Sequence, residues 1–441
     1  MNEKELVAMR NSFKTVFDKR KSILDDPKTK KLQDRVINIR KDAIDNNKEL
    51  LEIAKKSFKK NDIDFAFAKD DKEARDIIYN IINDVGSFDF GSNADSNVTS
   101  NVDSNSNSNL NSNSNSQNDS KDNNQTVIAK SKSNTLGEIA ISKYLKSKGM
   151  DVVETDLGDR ILQLKGKDNK PTHPTGPASH LNVQQISDIV NKAMDKDIPS
   201  EPKAIMETVR EDVLNKIAKA DIGISGANAV ASEDGSLVFV HNEGNISLVS
   251  LMKTHIVVIG MDKLVKTIED AISIAKLETI YATGSKTTSY INVVSGPSKT
   301  ADIEKKLLKN MYGAEKVFVV ILDNGRSQAI DSIHECLLCI GCGSCIVTCP
   351  VYNVIGNEFG FNNYLGGRGV AMSKFIEDSE TSFNSGLYKC TLCGLCTENC
   401  PVAIQTNEAI EEIRKDSQKK GFYPNEHGKF RDNIKKKGSP Y

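Results

Sequence analysis

Residues 316–350 read KVFVVILDNGRSQAIDSIHECLLCIGCGSCIVTCP, and the boundary between two kinds of structure falls inside them. The opening Lys316 to Asp323 is a near-continuous apolar run of strand length that stops at Asn324-Gly325. Such a run suits a strand covered on both faces, as in a parallel sheet flanked by helices. The closing Cys339-x2-Cys342-x2-Cys345-x3-Cys349-Pro350 suits a tight loop that aims several thiolates at one centre.

Toward the C-terminus the cysteine pattern repeats as Cys390-x2-Cys393-x2-Cys396-x3-Cys400-Pro401. This is the bacterial ferredoxin spacing, in which three thiolates of one run hold three irons of a [4Fe-4S] cube and the other run supplies the fourth. The expected ligand sets are therefore Cys339, Cys342, Cys345 and Cys400 for one cluster, and Cys390, Cys393, Cys396 and Cys349 for the other, giving two [4Fe-4S] clusters. Gly341, Gly343 and Gly394 let the loops wrap closely, and both prolines stop a premature helix. Structural zinc would leave half of each four-cysteine run unexplained. A thioredoxin-like dithiol would open a βαβ unit, which neither run does. Cys336 offers a second register, but only the one ending in Cys349-Pro350 matches the repeat, so it reads as a spare thiol. Helices over Val370 to Asp378, and over Glu408 to Lys420 with Asn407 as N-cap and Gly421 as terminator, make this module mostly helical.

Toward the N-terminus strand-like and helix-like stretches alternate: Asp64 to Ala68, Asp71 to Val85, Thr126 to Lys130, Leu136 to Lys148, Val152 to Thr155, Leu237 to His241, His255 to Gly260 and a helix over Leu264 to Ile274. The alternation predicts an α/β domain with a mostly parallel sheet over 60–326. Residues 91–125 interrupt it with a Ser/Asn tract too poor in apolar groups to order, read as a disordered surface insert. Residues 1–59 carry amphipathic spacings around Phe13, Val16, Phe17, Leu50, Leu51 and Ile53, read as peripheral helices. The cluster module spans 327–421, and a basic tail, read as solvated, occupies 422–441.

Balanced charge, with 59 Lys+Arg against 60 Asp+Glu in 441 residues, excludes the overall electrostatic footprint of a nucleic-acid binder. The start lacks a signal-like apolar stretch, no window suits a transmembrane segment, and all nine cysteines crowd into the last quarter. A cytoplasmic protein with metal ligation in place of disulfides is expected.

Within the α/β part, Lys132, Lys299 and Arg326 are candidates to hold an anionic group. Gly223, Gly226 and Gly296 would allow close backbone approach, and Glu154, Asp156 and Glu243 sit at expected strand ends. His180 and His255 read as satisfied structural histidines. Neither a nucleophile–base pair nor a G-x-G-x-x-G fingerprint occurs, so catalytic residues stay unassigned.

Ser131-Lys132-Ser133 with Glu138-Ile139, Glu154 to Asp159, Pro174 to His180, Gly223 to Asn228, Asn242 to Asn245, His255-Ile256, Gly296 to Asp302 and Asp323 to Arg326 stand in the order found in one group of proteins. With the cysteine runs that follow, they make the chain resemble the lactate utilisation protein B family over most of 60–405. The resemblance implies a LUD-type α/β domain related to sugar-phosphate isomerase and folate cyclo-ligase folds, then a helical ferredoxin domain. It implies an iron–sulfur electron-transfer subunit of a complex oxidising a 2-hydroxy acid, L-lactate to pyruvate. The implied partners are a cysteine-rich subunit of heterodisulfide-reductase type and a second LUD-type subunit. The alternative is a redox adaptor to such a reductase without a substrate site of its own. The Ser/Asn insert and Cys336 depart from the family pattern.

Overall fold

The strand β12 (Lys316–Leu322), apolar at six of its seven positions, lies between β1 (Ile63–Ala68) and β7 (Thr254–Gly260) in a sheet extended by β4 (Ile222–Ser225), β2 (Val127–Lys130) and β3 (Asp151–Glu154). The order is β1-β12-β7-β4-β2-β3 and every pairing is parallel. The structure is a computed structural model, and it describes residues 1–83, 125–166 and 170–441. The Ser/Asn tract read as a disordered insert lies, but for Gln125, outside the described residues.

Alternation along the strands assigns their side chains to two faces. Val317, Val319 and Ile321 enter one core cluster while Phe318, Val320 and Leu322 enter another. At β2, Ile128 and Ala129 divide likewise between helices on opposite sides. Both faces are thus covered, which is why the central strands β7 and β12 carry apolar residues on both faces rather than in alternation.

A second sheet, β8-β5-β6-β9, adds β5 (Ala229–Ala231), β6 (Ser236–His241), β8 (Leu264–Val265) and β9 (Tyr290–Val294). Leu237 to His241 was expected in the parallel sheet, but β6 runs antiparallel to β5 and β9. The turn from β5 to β6, closed by Gly235 at φ 71°, is too short for a crossover, so antiparallel pairing is the geometry left. A small hairpin of β10 (Lys299–Thr300) and β11 (Leu308–Lys309) stands apart from both sheets.

Two expected helices differ. The stretch 136–148 is two short helices, Asn134–Glu138 and Ile141–Ser147, separated by Ala140 at φ 48°. Leu136, Ile139, Ile141 and Leu145 all enter one core cluster. In a continuous helix Ile139 and Ile141 would point ~160° apart, so the break is what buries both. The helix expected from Leu264 begins at Ile268, with Thr267 as its cap, and runs to Thr283.

Helices α1 (Glu3–Leu24), α2 (Pro27–Asp45) and α3 (Asn47–Lys60) are not peripheral. Met9, Phe13, Val36, Ile44, Leu50 and Phe58 are buried in the core shared by the second sheet and the cysteine module, and Arg20 and Arg40 are buried with them. The heavily charged sequence hides this because both arginines are core residues whose partners lie far along the chain.

The cysteine module is helical, with Pro350–Ile355, Gly366–Ile376, Ser379–Asn384 and Thr406–Lys419, plus a hairpin of β13 (Gly360–Phe361) and β14 (Tyr364–Leu365). Asn407 lies inside the last helix rather than capping it. The basic tail forms a helix, Asn425–Lys437, that buries none of its residues. Among the described residues no helix is long and apolar enough to cross a membrane.

Candidate functional site

Two groups of thiols form where the cysteine loops meet. Gly341, Gly343 and Gly394 all adopt left-handed φ, at 87°, 72° and 78°. These are conformations that a side chain disfavours. At Gly343 a Cβ would also collide with the His173 ring. The thiol of Cys342 feels Cys400, Cys339 and Cys345 as electrostatic neighbours, whereas Cys349 feels Cys396 and Cys390. A small cavity is bordered by Cys345, Cys349, Cys390, Cys393 and Cys396. The last cysteine of each run therefore lies with the opposite run.

All nine cysteines are free thiols. Burial pushes Cys342 and Cys345 well above the ordinary thiol range, and Cys349 and Cys400 up to about 11. Thiolates here need cationic ligation, which iron supplies, and the loops are built to receive negative charge. Backbone N–H groups of Gly341 and Tyr352 point at the Cys339 and Cys349 sulfurs at 3.4 and 3.5 Å. Cations hold the loop carbonyls: Arg40 donates to Leu337 and Leu338 at 2.6 and 3.1 Å, Arg368 to Cys336 at 2.7 Å and Arg414 to Cys390 at 2.7 Å. Cys336 itself is buried beside this loop, its thiol pushed up to about 12 by burial.

A polar cavity of about 230 Å³ lies beyond the carboxyl ends of β2 and β4. Here the chain leaves β2 toward β3 on one side and returns to β4 on the other, the switch point at which open α/β sheets collect ligands. Its charged residues are Lys132, Asp156, Glu243, Lys263 and Glu278, and Gly341 of the first cysteine loop closes one side. Lys132 is bound to Asp156 at 2.6 Å and donates to the Thr175 carbonyl at 3.1 Å. Burial alone would lower its ammonium, but Asp156, Asp159 and Glu243 hold it above its usual value. Burial, reinforced by Asp156, pushes Glu243 up to about 7. Burial does the same to Glu278, whose Oε2 accepts from Asn228 at 2.8 Å. Lys263 donates to the Cys339 carbonyl at 3.3 Å, tying cavity to cysteine loop.

The LUD domain model matches residues 51–322, and a 4Fe-4S dicluster domain model matches residues 335–404. The chain belongs to the LUD-domain family.

This LUD-domain protein is 38% identical over 289 residues to "Lactate utilization protein B" of Geobacillus thermodenitrificans, covering 65% of this chain and 59% of that one. A protein of the same name from Macrococcus caseolyticus is 36% identical over 67% of this chain and 60% of its own, and one from Bacillus subtilis 35% identical over 68% and 61%. The chain thus spans about three fifths of the length of these curated relatives. A crystal structure of a DUF162 family protein from Deinococcus radiodurans aligns over 45% of this chain and 88% of its own, at 15% identity and a TM-score of 0.20. That likeness is too slight to bear on the fold. The C-terminal region of this LUD-domain protein is an iron–sulfur module of 4Fe-4S type.

The LUD domain disposes the nominated residues unevenly. Lys132, Asp156, Glu243 and Gly226 border the cavity. Arg326 does not hold an anionic ligand: it is buried against Glu138 at 2.7 Å and Asp262 at 2.6 Å and donates to the Tyr364 hydroxyl. Lys299 sits on the exposed β10–β11 hairpin. Glu154 is turned away from this cavity into a buried pair with Lys130 at 2.7 Å. Gly223 packs its backbone on Val249, and Gly296, at φ 105°, on the Asn61 carbonyl. His180 meets the Thr172 hydroxyl at 3.1 Å and His255 that of Ser225 at 2.7 Å, and burial holds both rings below the ordinary histidine range. Lys263 and Glu278 escaped the sequence reading. The available signal was Glu278 itself, the one acid beyond the first turn of Ile268–Thr283.

Proposed function

We propose that this chain is the iron–sulfur electron-transfer subunit of a complex that oxidises a 2-hydroxy acid, L-lactate to pyruvate. Two [4Fe-4S] clusters carry the electrons, one held by Cys339, Cys342, Cys345 and Cys400, the other by Cys390, Cys393, Cys396 and Cys349. The reaction releases two electrons and two protons per molecule, so one-electron carriers must work in succession. The names of the relatives support lactate as substrate, and the grouping of thiols supports two clusters with exchanged fourth ligands. A cysteine-rich subunit of heterodisulfide-reductase type and a second LUD-type subunit complete the complex.

One observation carries the reading: the switch-point cavity abuts the first cysteine loop at Gly341. A redox adaptor without a substrate has no need of a polar cavity beside its first cluster. In this chain, bound substrate and cluster would be separated by little more than the Cys339–Cys342 backbone. Lys263 serves both sides, since it borders the cavity and its ammonium steadies the Cys339 carbonyl.

Anaerobically purified protein is expected to contain about eight iron and eight sulfide per chain and to show interacting S = 1/2 signals after reduction. Zinc without sulfide would end the proposal. With clusters present, reoxidation by a partner during lactate turnover separates electron transfer from a purely structural role.

A further inference from the structure

Among the charged residues lining the switch-point cavity, most are already engaged. Lys132 is held by Asp156 and the Thr175 carbonyl, and Glu243 accepts from the Leu157 N–H at 3.1 Å. Lys263 and Glu278 are different. The Lys263 ammonium has one carbonyl at 3.3 Å and forms no ion pair with a described carboxylate. Glu278 uses Oε2 to accept from Asn228, while Oε1 takes no hydrogen bond from a described residue. The two side chains influence one another without joining, which leaves a cation and a carboxyl oxygen facing one space. The Lys263 side chain is half-buried and Glu278 is buried with one oxygen unbonded, so a ligand carrying an anionic group and a hydroxyl donor would complement both.

The space limits what that can be. About 230 Å³ is below the ~300–1,000 Å³ of sites for drug-sized ligands, so it suits a molecule of a few heavy atoms. Gly341 borders it, and a Cβ there would lie 3.5 Å from Glu278 Oε1, so the missing side chain leaves that oxygen open toward the cysteine loop.

We infer that this cavity binds a small 2-hydroxy carboxylate and its 2-oxo counterpart, with the carboxylate on Lys263 and the substrate hydroxyl donating to Glu278. The inference rests on the redox reading above and places its substrate within this chain rather than in a partner. Asn228 acts as a positioning residue, fixing the Glu278 carboxyl through Oε2. A 2-oxo acid lacks the hydroxyl donor, so Glu278 distinguishes the two forms while Lys263 holds both.

The test is anaerobic calorimetry of the full chain with L-lactate, pyruvate and inorganic phosphate, with iron, sulfide and EPR measured on the same samples. The parent is expected to bind L-lactate and pyruvate at one site per chain. Lys263→Gln should weaken both at least about tenfold, as loss of a charge-assisted hydrogen bond does, and Lys263→Arg should recover most of it. Glu278→Gln, which keeps the shape, should weaken L-lactate more than pyruvate. No heat at millimolar L-lactate or pyruvate in cluster-replete protein overturns the inference and leaves the electron-transfer proposal standing. Lys263→Gln binding as the parent does, with clusters intact, also overturns it, as does phosphate binding as tightly as both acids. Loss of the clusters from the parent would instead strike at the redox reading, whatever the calorimeter shows.

Discussion

The two cysteine runs share one spacing but not one environment. The first is walled in: Cys342 is buried, Ser344, Ile346 and Val347 beside it are buried, and α1, α2 and the polar cavity surround it. The second faces outward: Cys393 is exposed, and the helix that follows, Leu395–Glu398, has no buried residue. Identical local chemistry therefore sits in two settings, an inner loop beside the cavity and an outer one open to solvent. Spacing fixes what a loop can bind, and packing fixes where its electrons can go.

The largest test of this contrast is deletion of one ligand on each side. Cys345→Ala is expected to abolish recovery of soluble, folded protein, whereas Cys393→Ala should yield soluble protein with about four irons instead of eight. Equal collapse of both would break the contrast. Next is Arg326→Met, which leaves Glu138 and Asp262 buried without their cation and should cost roughly 3–5 kcal/mol in denaturant unfolding. A smaller effect would show the inner wall to be softer than its contacts indicate.

Glycine supplies a finer comparison. Gly343→Ala and Gly394→Ala share a left-handed strain of about 1–2 kcal/mol, but an added Cβ meets His173 at Gly343 and open space at Gly394. Thermal unfolding should therefore separate them by a further ~1–3 kcal/mol, the inner site being worse.

The smallest effect concerns pH. Burial lowers His255 to about 3, against an ordinary value near ~6.5. Below ~6.5 the unfolded chain takes up a proton that the folded chain refuses, so this contribution is complete above that pH and is lost as pH falls toward the folded value. His255→Gln should remove on the order of 1 kcal/mol per pH unit of that loss between about pH 6.5 and 5, read as the difference in melting between variant and parent.

What the sequence revealed follows from range. The cysteine loops were legible because their chemistry repeats within a dozen residues, and β12 because a doubly covered strand is apolar throughout. Arg326 was misjudged because its partner Glu138 lies 188 residues away, so a lone arginine after a strand resembled an anion holder. The cavity was half legible: Lys132, Asp156 and Glu243 sit at expected strand ends, but Lys263 and Glu278 enter through a 3-10 turn and a helix of the second sheet's layer. The broken helix at Ala140 was invisible because each half has helical periodicity and only their phases disagree.

Arg40 gives the order in which this molecule can be made. It reaches the Leu337 and Leu338 carbonyls across 297 and 298 residues of chain. At ~5–20 residues per second a ribosome needs roughly 15–60 s to supply those partners, and until then α2 carries a guanidinium that has nowhere to be buried. The helices synthesised first are therefore among the last to settle. The first cysteine loop is covered only once α1 and α2 have folded over it.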